Sequence, residues 1–272
     1  MTPVTGTAQP GARTLGSASI RVLGQVAGLP RPARILHSGP DAVYVELEGS
    51  CTGVLASGAV QVPCAIRTPL PTLPDVDPEV EVTVGNGSLT LPGLVVHVTE
   101  IVDTTVPVLA PAAAALASAA LREVTLRATA EVRAELPREA VDALRRGNAE
   151  AVRALLGRGP GLTPLGDDVL GGWLATAVAT RHAGLEEVRR AVALSASERT
   201  TTLSATLLAC AARGEVVPEL RTLLAGLLTD DAAQADRSID KLLAVGETSG
   251  AGLLLGTVCA LESLAALVGA AR

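Results

Sequence analysis

The chain is almost without aromatic residues: it has Tyr44, Trp173 and no phenylalanine. Any core it builds must therefore come from Leu, Val and Ala. With 48% hydrophobic and 18% charged residues, it reads as a folded chain and not a disordered one. The same scarcity argues against binding single-stranded nucleic acid, which relies on aromatic stacking platforms. A net charge of −6 argues against duplex binding, which needs a basic face. At 272 residues there is room for one large core or two modest domains.

The residue pattern divides near Pro107. Residues 1–16 read as a flexible tail and 17–107 as a β-rich domain, with strand-like runs at 20–23, 42–47, 80–84 and 93–98. In 80–84 the valines alternate with Glu81 and Thr83, the period of a half-buried strand. Gly85-Asn86-Gly87 reads as a turn into 88–91, and the proline-punctuated run 63–78 as an irregular crossover or edge. Residues 108–272 form the α-helical domain. Its helices are expected at 111–133, 138–147, 149–156, 168–183, 185–194, 201–213, 218–228, 232–245 and 250–270. The expected class is α+β, a sandwich- or barrel-like β part followed by a helical part.

Residues 1–13 lack the apolar core of a signal peptide. The one membrane-like stretch, 251–271, is interrupted by Glu262 and is rich in Gly and Ala, which suits a buried packing helix better than a span. A cytoplasmic protein without membrane or nucleic-acid partners is expected. Cys51, Cys64, Cys210 and Cys259 form no CxxC pair, so neither zinc nor a redox dithiol is indicated. A Cys51–Cys64 disulfide stays open, and buried free thiols in a reducing compartment are the preferred reading. His37, His97 and His182 are isolated and assemble no catalytic or metal set. His182 falls near a helix end, where a cation complements the dipole.

Chemistry concentrates in Gly157-Arg158-Gly159-Pro160-Gly161-Leu162-Thr163-Pro164-Leu165-Gly166-Asp167-Asp168, a glycine-dense turn feeding an apolar helix. Unpaired first-turn N–H groups and the positive dipole end suit an anion there, and glycines let a ligand approach the main chain. Asp167 and Asp168 can act as a base or bring a divalent cation. No definite cofactor is named by the sequence; Mg2+ is the cation such a pair would take. A purely structural reading competes, with Thr163 as N-cap, Pro164 at the first helical position and the two aspartates in the first turn. The run matches neither a Walker A loop nor a dinucleotide GxGxxG.

Two further helix entries carry hydroxyls. One is Gly246-Glu247-Thr248-Ser249-Gly250; the other is Arg199-Thr200-Thr201-Thr202-Leu203-Ser204. Each alone is commonly a cap. If the three helices converge, their N-termini form a pocket of N–H groups and hydroxyls with a carboxylate pair on one wall, suited to a small oxygen-rich anion. The candidate anion-binding residues are Gly159, Gly161, Thr163, Gly166, Thr201, Thr202, Ser204, Thr248, Ser249 and Gly250, and the candidate catalytic residues are Asp167 and Asp168.

Gly159-Pro160-Gly161-Leu162-Thr163-Pro164-x-Gly166-Asp167-Asp168, with Gly246-x-Thr248-Ser249-Gly250 downstream, closely resembles the family of the AllH-type subunit of oxamate carbamoyltransferase. The resemblance covers roughly 155–256 best. It implies work with an FdrA-like subunit, which is similar to acyl-CoA synthetase subunits, and with a third, larger partner. It also implies phosphorolysis of oxalurate to oxamate and carbamoyl phosphate in allantoin breakdown. By that likeness Gly159, Gly161, Thr163, Gly166, Asp167 and Asp168 belong to the first motif, and Thr248, Ser249 and Gly250 to the second. Two departures stand out. Leu165 occupies a position where a small polar residue is usual. Ala251-Gly252 follow the second motif where the family usually has an aromatic and an aspartate.

Overall fold

The computed structural model describes residues 11–227 and 232–270. The chain divides into two compact units, 1–103 and 104–272. The expected tail falls partly outside the described residues. Its end is ordered as the first strand, β1 (Ala12–Ala18), which pairs in parallel with the last strand of the unit.

The first unit is a closed eight-strand barrel. After β1 come α1 (Ile20–Val26), β2 (Arg31–Ser38), β3 (Ala42–Leu47), β4 (Ser50–Leu55), β5 (Ala65–Arg67), β6 (Val82–Gly85), β7 (Ser88–Leu91) and β8 (Leu94–Ile101). The order around the barrel is β1-β5-β4-β3-β2-β6-β7-β8. Its interior is aliphatic, with Val22, Val43, Val54, Ile66, Val84, Leu89 and Val96 fully buried. The β6–β7 turn is the expected one: Asn86 and Gly87 have φ of 53° and 75°, the left-handed pair of a tight hairpin. Residues 20–23 are helical, against the strand expectation. Ser19 caps that helix by accepting the Val22 N–H, and Val22 and Val26, four apart, are the buried pair. A short apolar run fits either period, and here the cap decides.

The second unit is helical: α2 (Pro111–Ala128), α3 (Ala130–Ala134), α4 (Arg138–Arg145), α5 (Glu150–Leu155), α6 (Leu165–Thr180), α7 (Leu185–Arg199), α8 (Thr202–Ala211), α9 (Pro218–Gly226), α10 (Ala232–Leu243) and α11 (Ser249–Ala270). The expected single helix 111–133 breaks at Thr129, whose hydroxyl donates back to the Thr125 carbonyl. By length and composition α11 could cross a membrane, but 67% of its most apolar window is buried within the protein.

The pair α6 and α11 forms the centre of this unit, and the two run parallel. Residues 165 and 252, 169 and 256, and 176 and 257 meet along them, and 182, just past α6, meets 263. The approach is backbone to backbone. A Cβ at Gly172 would lie 2.1 Å from the Leu253 carbonyl oxygen, and one at Gly256 would lie 1.9 Å from that of Val169. Only glycine permits this contact. Around it sits Trp173, fully buried, its indole N–H donating to the Leu144 carbonyl at 3.1 Å. His182 packs edge-on against Trp173 and accepts the Gly184 N–H at Nδ1. The remaining ring proton therefore sits on Nε2, 3.0 Å from Ser263 Oγ. Burial also lowers its pKa, so His182 is a neutral cap and not the expected cation at a helix end. All four cysteines are buried thiols.

Candidate functional site

The three hydroxyl-bearing helix entries converge. Because α6 and α11 are parallel, their N-termini lie side by side, and Thr163 Oγ1 stands 3.1 Å from Ser249 Oγ. The start of α8 joins from the other flank. Thr201 Oγ1 donates to the Leu162 carbonyl at 2.6 Å, and Ser204 Oγ donates to Asp167 at 2.6 Å. Three positive dipole ends thus face one region, an arrangement that favours negative charge.

Helix α6 begins at Leu165, with Pro164 in the N-cap position and no side-chain cap. Thr163 is therefore not the N-cap, and its hydroxyl is turned to Ser249 instead. The genuine hydroxyl cap is Thr201, which accepts the Ser204 N–H at 3.0 Å.

The two aspartates differ completely in surroundings. Asp167 is 2% exposed and both its oxygens are engaged. Oδ1 accepts the Gly157 N–H at 2.7 Å, while Oδ2 accepts from Ser204 and, in a short contact, from Thr200. Asp167 thus ties the glycine loop and the start of α8 to α6. Thr200, outside the sequence-based set, belongs to this tie; its place in the run Thr200-Thr201-Thr202 was the available signal.

Asp168 points to α11. Ser249 lies close to its carboxyl group, and its Oδ2 is shielded from water without a hydrogen-bond partner. Burial pushes its pKa up to about 7; the nearby Ser249 hydroxyl opposes the rise, and the neighbouring Asp167 charge adds to it. Gly252 makes room for the side chain, since a Cβ there would lie 2.8 Å from Asp168 Cβ.

Most glycines of the motifs serve packing. Added Cβ atoms at Gly157, Gly166 and Gly250 would each fall 1.9 Å from a carbonyl oxygen, of Arg199, Leu155 and Leu242 respectively. The N–H groups of Gly166 and Gly250 bond the carbonyls of Arg158 and Val245 at 2.8 and 2.9 Å, so neither is free to bind an anion. Gly159, at φ 114°, holds the turn against Leu165. Gly161, at φ 91°, is exposed and faces open space. Thr163, Thr201, Thr202, Thr248 and Ser249 are half-buried, within reach of a ligand, whereas Ser204 is buried.

With Asp167 fully engaged, Asp168 is the carboxylate here left to face a cation, and no group of three or more His, Cys, Asp or Glu residues lies together among the described residues.

By fold and site, this unit is a helical domain whose convergent N-termini bring together hydroxyls and a buried, unpartnered carboxyl oxygen. Residues 155–261 match the model of a family described as oxamate carbamoyltransferase subunit AllH, so this segment of the chain is similar to that family. No curated protein and no solved structure matched the chain.

Proposed function

We propose that the chain is the AllH-type subunit of a cytoplasmic, oxamate carbamoyltransferase-type assembly, and that its small anionic substrate binds where α6, α8 and α11 begin. The partners on this reading are an FdrA-like subunit and a third, larger one. The observation that carries it is the meeting of Thr163, Ser249 and Asp168 at two parallel helix N-termini, inside the family-matched segment.

In this reaction a phosphate oxygen attacks the carbamoyl carbon of oxalurate and the bond to the oxamate nitrogen breaks. The proton of hydrogen phosphate ends on that nitrogen, giving oxamate and carbamoyl phosphate. The helix ends, with the Thr202 and Thr248 hydroxyls, stabilise the oxyanions. Asp168 lies beside them, and its raised pKa, about 7, suits its carboxyl group to exchanging a proton with the reacting groups. Asp167 is a positioning residue that keeps the three helix starts together.

Oxalurate phosphorolysis by the reconstituted assembly tests this. Asp168→Asn is expected to lower turnover by about a hundredfold or more; unchanged turnover contradicts a catalytic Asp168. A second reading, an anion-sensing or assembly subunit, is favoured by the engaged amides of Gly166 and Gly250 and by Gly252 standing where the family usually has aspartate. It predicts carbamoyl phosphate binding with turnover insensitive to Asp168→Asn.

A further inference from the structure

We propose that the barrel unit carries a ligand site of its own: a pocket between α1 and the β3–β4 hairpin that takes a small oxyanion, a carboxylate or a phosphate, on Arg21, Gln25 and Ser50. The pocket has a volume of about 420 Å³, and its lining residues all belong to the first unit. The hairpin turns on Glu48 and Gly49, whose φ of 52° and 77° are the left-handed pair of a two-residue turn. That turn brings Ser50, the first residue of β4, to within 3.1 Å of the Arg21 guanidinium on α1. Gly24 and Gln25 line the pocket from the same helix, and Arg31 and Glu48 complete it.

Donors and acceptors in this pocket are unequally matched. Both terminal nitrogens of Arg31 are engaged, Nη1 with Glu48 Oε1 and Nη2 with the Gln25 carbonyl, each at 2.9 Å. Arg21 has no carboxylate partner among the described residues. Its Nη2 donates to Ser50 Oγ, its Nε is shielded from water, and Nη1 is left open without a protein acceptor. Ser50 accepts from Arg21, so its own proton is free for another acceptor. Gln25 Oε1 accepts the Thr52 hydroxyl at 3.0 Å, which leaves the two amide N–H groups to donate. The lining thus sets two guanidinium groups against one carboxylate, already paired, on a chain whose net charge is −6. A guanidinium with one edge out of water attracts an anion at its open end more strongly than a fully solvated one. An oxyanion answers this donor set; a cation or an apolar ligand does not.

Gly24 points the same way independently. It sits inside α1, where glycine costs stability, yet a Cβ there would meet nothing within 4 Å. Unlike Gly172 and Gly256, it answers to no neighbouring carbonyl. What it keeps clear is the pocket that it lines.

Inorganic phosphate and acetate are to be titrated calorimetrically into the full-length chain at constant ionic strength, with sodium chloride as the balancing salt. Saturable binding of at least one is expected, and the tighter of the two tells a phosphate site from a carboxylate site. The binding should weaken about tenfold or more in Arg21→Gln, which removes the charged donor. It should weaken as much in Gly24→Leu, which adds bulk to the pocket and removes none of the donors. Gly24→Leu should melt no lower than the parent, so that its loss of binding is not a loss of fold. Thr163→Val alters the helix starts of the other unit and should leave this binding in place. Failure of both anions to bind overturns the proposal. So does binding that Arg21→Gln and Gly24→Leu leave unchanged, or that Thr163→Val alone removes.

Discussion

Thr163 and Ser249, 86 residues apart in sequence, bring their hydroxyl oxygens within 3.1 Å of each other. The contact exists because α6 and α11 run parallel with glycine-to-backbone packing that fixes their relative height. Asp168, five residues beyond Thr163 and in the first turn of α6, lies beside Ser249. The local chemistry therefore depends on the helix packing below it.

That dependence is testable with glycines. Gly172→Ala and Gly256→Ala each force a Cβ to about 2 Å from a carbonyl oxygen and should destabilise the chain by roughly 3 kcal/mol or more in urea denaturation. Gly171→Ala is the control. Its nearest atom is a Leu253 methyl at 3.7 Å, so alanine should be neutral or stabilising by up to about 1 kcal/mol. Equal effects at positions 171 and 172 would contradict the close approach.

Asp167→Asn should also be severe. The substitution places an amide where three donors converge, from Gly157, Thr200 and Ser204. A loss on the order of 3 kcal/mol is expected, read as a lower urea midpoint. A variant as stable as the parent would mean that Asp167 does not tie the three segments.

Asp168 carries the opposite expectation. Its folded pKa is raised, from the ordinary 3.8 to about 7, so between those values the folded state holds a proton that the unfolded state has released. Its contribution to stability is therefore present at low pH and is lost as pH rises toward 7, staying lost above. Asp168→Asn, always neutral, should stabilise the chain at pH 8 by on the order of 2 kcal/mol and gain progressively less toward pH 4. Thermal unfolding of both forms across this range checks the sign.

Sequence reading captured what local chemistry dictates. The Asn86-Gly87 hairpin, the switch from strands to helices and the hydroxyl-rich helix starts were all legible, because turn residues and periodicity act over a few positions. It missed α1, where four apolar residues fit two periods, and it placed the start of α6 three residues late. Nor could it separate Asp167 from Asp168. Adjacent residues on a helix point about 100° apart, so one faces α8 and the other α11, and only packing decides which is saturated. The glycines had been assigned to a ligand, but most answer to neighbouring carbonyls. Distances between chain segments remote in sequence leave no local trace.

The most direct measurement is calorimetric titration of carbamoyl phosphate into the full chain and into Thr163→Val, which keeps the shape of the side chain and removes its hydroxyl. Saturable binding by the parent, weakened about tenfold or more in the variant, is the predicted result, given what a hydrogen bond to a charged network contributes. Binding of equal strength in both would contradict a ligand site at the meeting of α6 and α11.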